Sequence, residues 1–280
     1  MKSHDFGQFL FNSSTFAENK LVELISEENN FTPTLATKAL FLRLVSVSEI
    51  LTEENQSKEN LDDFVKKILT ARQLERAESF DKDNSLKLVQ TLIDTSTVDF
   101  VHLEKILQEY HRIEIPPVES AFASFYDSLR LADKVDYPLA LGVAESLHEF
   151  LSETLGTSVV FAPSPKLGKS DKFGASVKIA GEMPVVVAVM ADQKTFHVMA
   201  NIYDGFVSDD LEEDFDAMSE MLNVFTGNFT VQFAAAVGVE EEPEPPRFGR
   251  VDENLSTLRA LTNFGTFYLY IEREEIFPCI

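Results

Sequence analysis

Asp216, Glu220, Asn223, Gly227 and Asn228 stand in the string Asp-Ala-Met-Ser-Glu-Met-Leu-Asn-Val-Phe-Thr-Gly-Asn, residues 216–228. On a helix, Glu220 and Asn223 are close to one turn apart and become surface neighbours. A carboxylate in that position can engage a cation. A neutral carboxamide beside it can hold a water in line with an electrophile without being a strong base. The short signal Glu-x-x-Asn carries little information, since Glu27-x-x-Asn30 repeats it elsewhere in the chain. The longer pattern around it is what singles out residues 216–228.

The surrounding residues predict the helix that would position this pair. Ser208-Asp-Asp-Leu-Glu212 supplies small polar caps and acidic residues where the positive end of a helix dipole favours them. Leu211, Phe215, Met218, Leu222 and Phe225 follow at steps of four and three, so they form one apolar stripe for the core. Glu212, Asp216, Glu220 and Asn223 fall on the far side. Gly227 and Asn228 suit a left-handed helix end, which sets the expected helix at Ser208 to Thr226 with a strand from Phe229 to Val237. Around it the pattern predicts a helix from Pro138 to Leu155 ended by Gly156, and a strand from Thr157 to Ala162. A hairpin of Phe173–Ala180 and Val185–Met190 turns at Gly181-Glu-Met-Pro184. A helix from Lys194 to Tyr203 and a strand from Thr266 to Glu272 complete the reading. The run Glu240-Glu-Glu-Pro-Glu-Pro-Pro246 reads as an acidic surface loop.

The string at 216–228 resembles the active-site helix of the CheC/CheX/FliY chemotaxis phosphatases, in which Glu-x-x-Asn is followed by Gly-Asn four residues later. The order helix, hairpin, helix, strands over residues 138–280 is similar to that family as well. Glu149-Phe-Leu-Ser152 followed by Gly156 echoes Glu220-Met-Leu-Asn223 followed by Gly227, which fits the family's internal pseudo-symmetry. Ser152 stands in the asparagine position of the first copy, so one active site is expected, as in CheX. The resemblance implies an α+β CheC/CheX-like domain with a mixed sheet and long helices. It implies hydrolysis of the aspartyl phosphate of a CheY-like response regulator, with Asn223 orienting the attacking water and Glu220 docking on the receiver's lysine. Asp216, Gly227 and Asn228 would face the partner. The expected domain needs no cofactor of its own, because the receiver supplies Mg2+. A homodimer is compatible with this family. The competing reading keeps the fold but makes it a non-enzymatic module that binds a receiver or a flagellar switch component.

Residues 1 to about 112 predict helices only. Phe9-Leu-Phe-Asn-Ser-Ser-Thr-Phe, running on to Leu21, Leu24 and Glu27, recurs 82 residues later as Thr91-Leu-Ile-Asp-Thr-Ser-Thr-Val, running on to Leu103, Ile106 and Glu109. Each copy reads as a helix end, a Ser/Thr start and a second amphipathic helix, and a degenerate middle copy covers Leu40 to Gln56 with Val45, Ile50 and Leu51 apolar. This resembles the helical repeats at the N-termini of type II secretion ATPases, some of which bind cyclic dinucleotides. Asp5 replaces a basic residue expected there and Val89 stands where the first copy has Gly7, which favours a packing or interaction role. Ile113-Glu-Ile-Pro-Pro117 breaks the pattern. The expected organisation is therefore a helical-repeat domain over 1–112, a linker with a connecting helix (Val118–Leu131) over 113–137, and the CheX-like domain over 138–280.

Composition narrows the partners. The 280 residues carry a formal net charge of -23, which disfavours binding to phosphate backbones or anionic membrane surfaces. No apolar run approaches the ~20 residues of a membrane span, and the single cysteine, Cys279, has no internal partner. These features predict a cytoplasmic protein. His4, His102, His111, His148 and His197 show no metal-ligand spacing, and neither a Walker loop, a dinucleotide glycine fingerprint nor a Gly-x-Ser-x-Gly elbow occurs.

Overall fold

A computed structural model of the chain describes residues 5–50, 61–80, 84–128, 135–164, 172–205, 210–238, 241–251, 255–273 and 277. The chain divides into two compact units, one running to Ile115 and the other beginning at Pro116.

The first unit is helical: α1 Phe6–Asn12, α2 Glu18–Glu27, α3 Leu35–Phe41, α4 Val47–Ile50, α5 Leu61–Ile68, α6 Ala71–Glu78, α7 Asn84–Asp94 and α8 Phe100–Tyr110. The sequence repeat is visible in its turns. Ser14, Arg43 and Ser96 all adopt left-handed backbone, with φ of 52°, 56° and 51°. At each turn three amides bond back to the preceding helix in the same order. Ser13, Ser14 and Thr15 reach Phe9, Phe11 and Leu10. Leu42, Arg43 and Leu44 reach Lys38, Leu40 and Ala39. Thr95, Ser96 and Thr97 reach Thr91, Ile93 and Leu92. In the first and third copies the Ser/Thr cluster thus closes the helix before it rather than starting the one after, whereas in the middle copy Ser46 starts α4, its hydroxyl accepting from the Glu49 amide. Ser13 and Thr95 donate to the carbonyls of Phe9 and Thr91, while the following helices are capped at Ala17 and Asp99. Val45 and Ile50 of the middle copy are buried. Leu51 to Gln56 lie outside the described residues.

The second unit carries α9 Pro117–Ser128, α10 Tyr137–Leu155, β1 Val160–Pro163, β2 Lys172–Gly181, β3 Val185–Asp192, α11 Gln193–Asp204, α12 Leu211–Val237, β4 Glu241–Pro243, β5 Arg247–Arg250, β6 Leu258–Leu261 and β7 Thr266–Glu272. The strands form one sheet in the order β1-β6-β7-β3-β2-β4, with β5 also on β2. The α+β class is as expected, but every described pairing is antiparallel where a mixed sheet was anticipated. One face of the sheet packs against α10, α11 and α12 through Leu147, Leu151, Val177, Val187, Phe196, Met218 and Leu222. The other face holds a smaller cluster, in which Val186, Ala188, Met190 and Tyr270 are covered by Val251, Leu255 and Phe277. The connecting helix belongs to this unit. Val118, Ala121, Phe122 and Phe125 of α9 are buried in its main core, and α9 packs on the edge strand β1.

Two segments of this unit differ from their expected secondary structure. α12 does not stop at Gly227; it runs 27 residues to Val237 and ends at Gly238, whose φ of 74° is the left-handed cap. Phe229 to Val237, expected as a strand, is the second half of this helix. Phe225, Phe229 and Phe233 stack along it at steps of four, with ring centroids 6.1 Å and 5.5 Å apart. Glu241–Pro243, expected in a loop, is a short strand paired with Ile179–Gly181. Proline is tolerated there because β4 lies at the sheet edge.

Candidate functional site

α12 positions the candidate pair. Asp210 caps it by accepting from the Glu212 amide, and Glu212, Glu213 and Asp214 occupy the first turn. Its buried flank, Phe215, Met218, Met221, Leu222, Phe225 and Phe229, is locked in the core. Phe215 lies between Phe196 and Phe248, at 5.4 Å and 4.6 Å. The rotation of the helix is therefore fixed by packing, and with it the direction of the opposite flank.

Asp216, Glu220 and Asn223 are exposed on that flank with the half-buried Gly227 among them, and Asn228 is exposed as well. Among the described residues, the carboxylates of Asp216 and Glu220 and the carboxamides of Asn223 and Asn228 make no hydrogen bond or ion pair. The Asn223 carbonyl alone is engaged, accepting from the Thr226 hydroxyl at 3.2 Å. At about 100° per residue, Asp216, Glu220, Asn223 and Gly227 fall within roughly 60° of one another around the helix axis. Four of the five positions singled out by sequence are thus brought to one open face, while Asn228, roughly 100° further round the helix, is exposed off that face.

Tyr203 of α11 is a neighbour that the motif did not mark. Burial raises the pKa of its phenol, and the negative charge of Glu220 raises it further. The Tyr203 phenol is therefore neutral and adds no counter-charge for the Glu220 carboxylate. A second polar group was also missed because its members come from two helices. Asp214, buried, holds His197 Nδ1 at 3.0 Å from both carboxylate oxygens, and His197 Nε2 is 3.0 Å from Asn201 Nδ2. This chain ties α11 to the first turn of α12. The echo on α10 is different in kind: Glu149 is exposed, but Ser152 is half-buried with its hydroxyl oxygen turned inside.

Fold and site together define an α+β domain whose longest helix presents a carboxylate and a carboxamide to solvent. The C-terminal half of the chain resembles the CheX/CheC/FliY proteins in solved structures. It is similar to the chemotaxis protein CheX from Desulfovibrio desulfuricans at 18% identity and a TM-score of 0.38, covering 48% of this chain and 97% of that one. It is similar to the structure of a CheX–CheY–BeF3–Mg complex from Borrelia burgdorferi at 20% identity and a TM-score of 0.38, covering 50% and 100%. Thermotoga maritima FliY is similar at 13% identity and a TM-score of 0.34, covering 59% and 93%. No model of a protein family and no curated protein matches the chain. No described helix is long and apolar enough to cross a membrane.

Proposed function

We propose that the second unit is a phosphatase for the aspartyl phosphate of a CheY-like receiver domain. The single observation that carries this reading is the exposure of Glu220 and Asn223, unpaired and adjacent, on a helix whose other flank is fixed in the core. An aspartyl phosphate is an acyl phosphate and already activated. The receiver brings the metal ion and the lysine that neutralise its phosphoryl oxygens, so the remaining task is to hold water in line behind phosphorus. Phosphoryl transfer is catalysed largely by such positioning. Asn223 accepts a hydrogen bond from the water through its amide oxygen and aims the lone pair at phosphorus. A P–O bond forms to the water as the bond to the aspartate oxygen breaks. The aspartate leaves as a free carboxylate, and both protons of the water remain with the phosphate, which departs as H2PO4−. Glu220 meets the receiver lysine and fixes the register of the helix against the phosphate, and Asp216, Gly227 and Asn228 complete the contact.

The experiment is phosphate release from a panel of phosphorylated receivers, with and without the full chain. Asn223→Ala is expected to lower stimulated release by about 100-fold, the scale of losing a positioned polar group, while binding to a beryllofluoride-activated receiver survives. Unchanged turnover in Asn223→Ala overturns the assignment. Binding with no turnover by the unaltered chain returns the non-enzymatic docking module.

A further inference from the structure

The charge on α12 is divided sharply along its length. All five acidic residues, Glu212, Glu213, Asp214, Asp216 and Glu220, lie in its first ten positions, and no charged residue follows to Val237. The exposed flank nevertheless continues. Val224 is 38% exposed and Val231 is 72% exposed, the latter the most open of the large aliphatic side chains found exposed. They stand four and eleven residues beyond Glu220, on the face that carries Glu220, Asn223 and Gly227, and Val231 lies roughly 12 Å along the axis from Asn223. An aliphatic side chain this open is ordinary when single. Two on one uncharged stripe, contiguous with an acidic one, make a surface of two chemistries.

We infer that Val224 and Val231 form the apolar half of the surface that receives the phosphorylated receiver. The partner is a receiver domain presenting a cation to the Glu220 end and an apolar patch to the Val231 end. This rests on the phosphatase reading and adds to it what sets affinity. Charge complementarity fixes the polarity of docking, because a partner turned end for end would place its cation against an uncharged stripe and its apolar patch against carboxylates. The half-buried Gly227 between the two valines keeps the stripe low at its centre, so the partner's backbone can approach there.

Val231 touches no reacting group in this scheme, so its effect falls on binding and not on turnover. Val231→Glu in the full chain is expected to raise KM for the phosphorylated receiver about tenfold or more, with kcat retained, the scale of losing one buried aliphatic contact. Gln232→Glu adds the same charge one residue on, about 100° around the helix, and is expected to leave KM within twofold. Circular dichroism of both variants establishes that the helix is intact. Equal effects of the two substitutions, or no effect of either, overturn the inference, and so does a dimer that Val231→Glu splits in sedimentation, which would assign the stripe to a second copy of this chain. Asn223→Ala separates the two levels: if it abolishes turnover while Val231→Glu is silent, the phosphatase reading stands and the docking stripe falls. If it leaves turnover unchanged, both fall.

Discussion

His148 should make the second unit acid-sensitive by an amount that can be worked out beforehand. The ring is 6% exposed on α10, edge-on to Phe161, with Nε2 2.6 Å from the Val159 carbonyl oxygen. Burial lowers its pKa to about 4, and the hydrogen bond to Val159 opposes this only in part. The folded ring is therefore neutral and donates Nε2–H to Val159. Below pH 6.5 the unfolded chain takes up a proton that the folded chain refuses, so stability is complete above that value and falls as pH drops towards 4. Relative to pH 8 the loss is on the order of 1 kcal/mol at pH 5.5 and about 3 kcal/mol at pH 4. His148→Gln places an amide near the Nε2 position and removes the titration. Hydrogen exchange of the α10 and β1 amides, measured in the full chain at pH 8 and pH 5.5, reads the opening free energy of this unit directly. The advantage of the unaltered protein over His148→Gln should shrink by about 1 kcal/mol between the two conditions. Self-repulsion among the acidic residues changes with pH as well, but equally in both proteins. An advantage that stays constant, or a His148 resonance that titrates near 6.5 by NMR, refutes the reasoning.

Three further substitutions test the architecture. Gly227→Ala should stabilise the second unit by ~0.5–1 kcal/mol in chemical denaturation, because the residue is helical and a Cβ there meets nothing within 4 Å. Gly265→Ala should do the reverse, with a loss of about 2 kcal/mol or more in the same assay: φ is 152° and the added carbon would overlap the Thr195 hydroxyl. His197→Ala should cost ~1–3 kcal/mol by leaving the buried Asp214 carboxylate short of a donor, read as faster hydrogen exchange in α11 and the first turns of α12.

The elements with a strong single period were legible. α10 and its Gly156 end, the β2–β3 hairpin, α11 and β7 lie within a few residues of their expected spans. The far end of α12 was not, because Gly-Asn is a good helix terminator in isolation and Phe229-Thr-Val has β-branched, aromatic character. The Phe225, Phe229, Phe233 ladder overrides both, and Thr226 and Thr230 return their hydroxyls to the Leu222 and Gly227 carbonyls within the helix. The signal was present as a step of four. β4 and β5 are only three or four residues long and owe their pairing to β2, distant in sequence, while the four-residue β6 is held between its hairpin partner β7 and the distant edge strand β1. The exposure of Glu220 and Asn223 could be reasoned from the apolar stripe opposite them. The Asp214–His197–Asn201 chain could not, since nothing local places residue 214 beside residue 197.

Because Glu220 and Asn223 share one uninterrupted helix, the distance between them is a property of helical pitch and owes nothing to the rest of the domain. The hydrogen-bond ladder of α12 acts as a ruler, and the aromatic residues beneath it only decide which way the ruler faces. Core residues can be exchanged, or the sheet loosened, without altering that spacing, as long as the buried flank keeps its volume. The chemistry that the helix shows to solvent can then change through a few outward positions while what keeps the domain folded stays as it is.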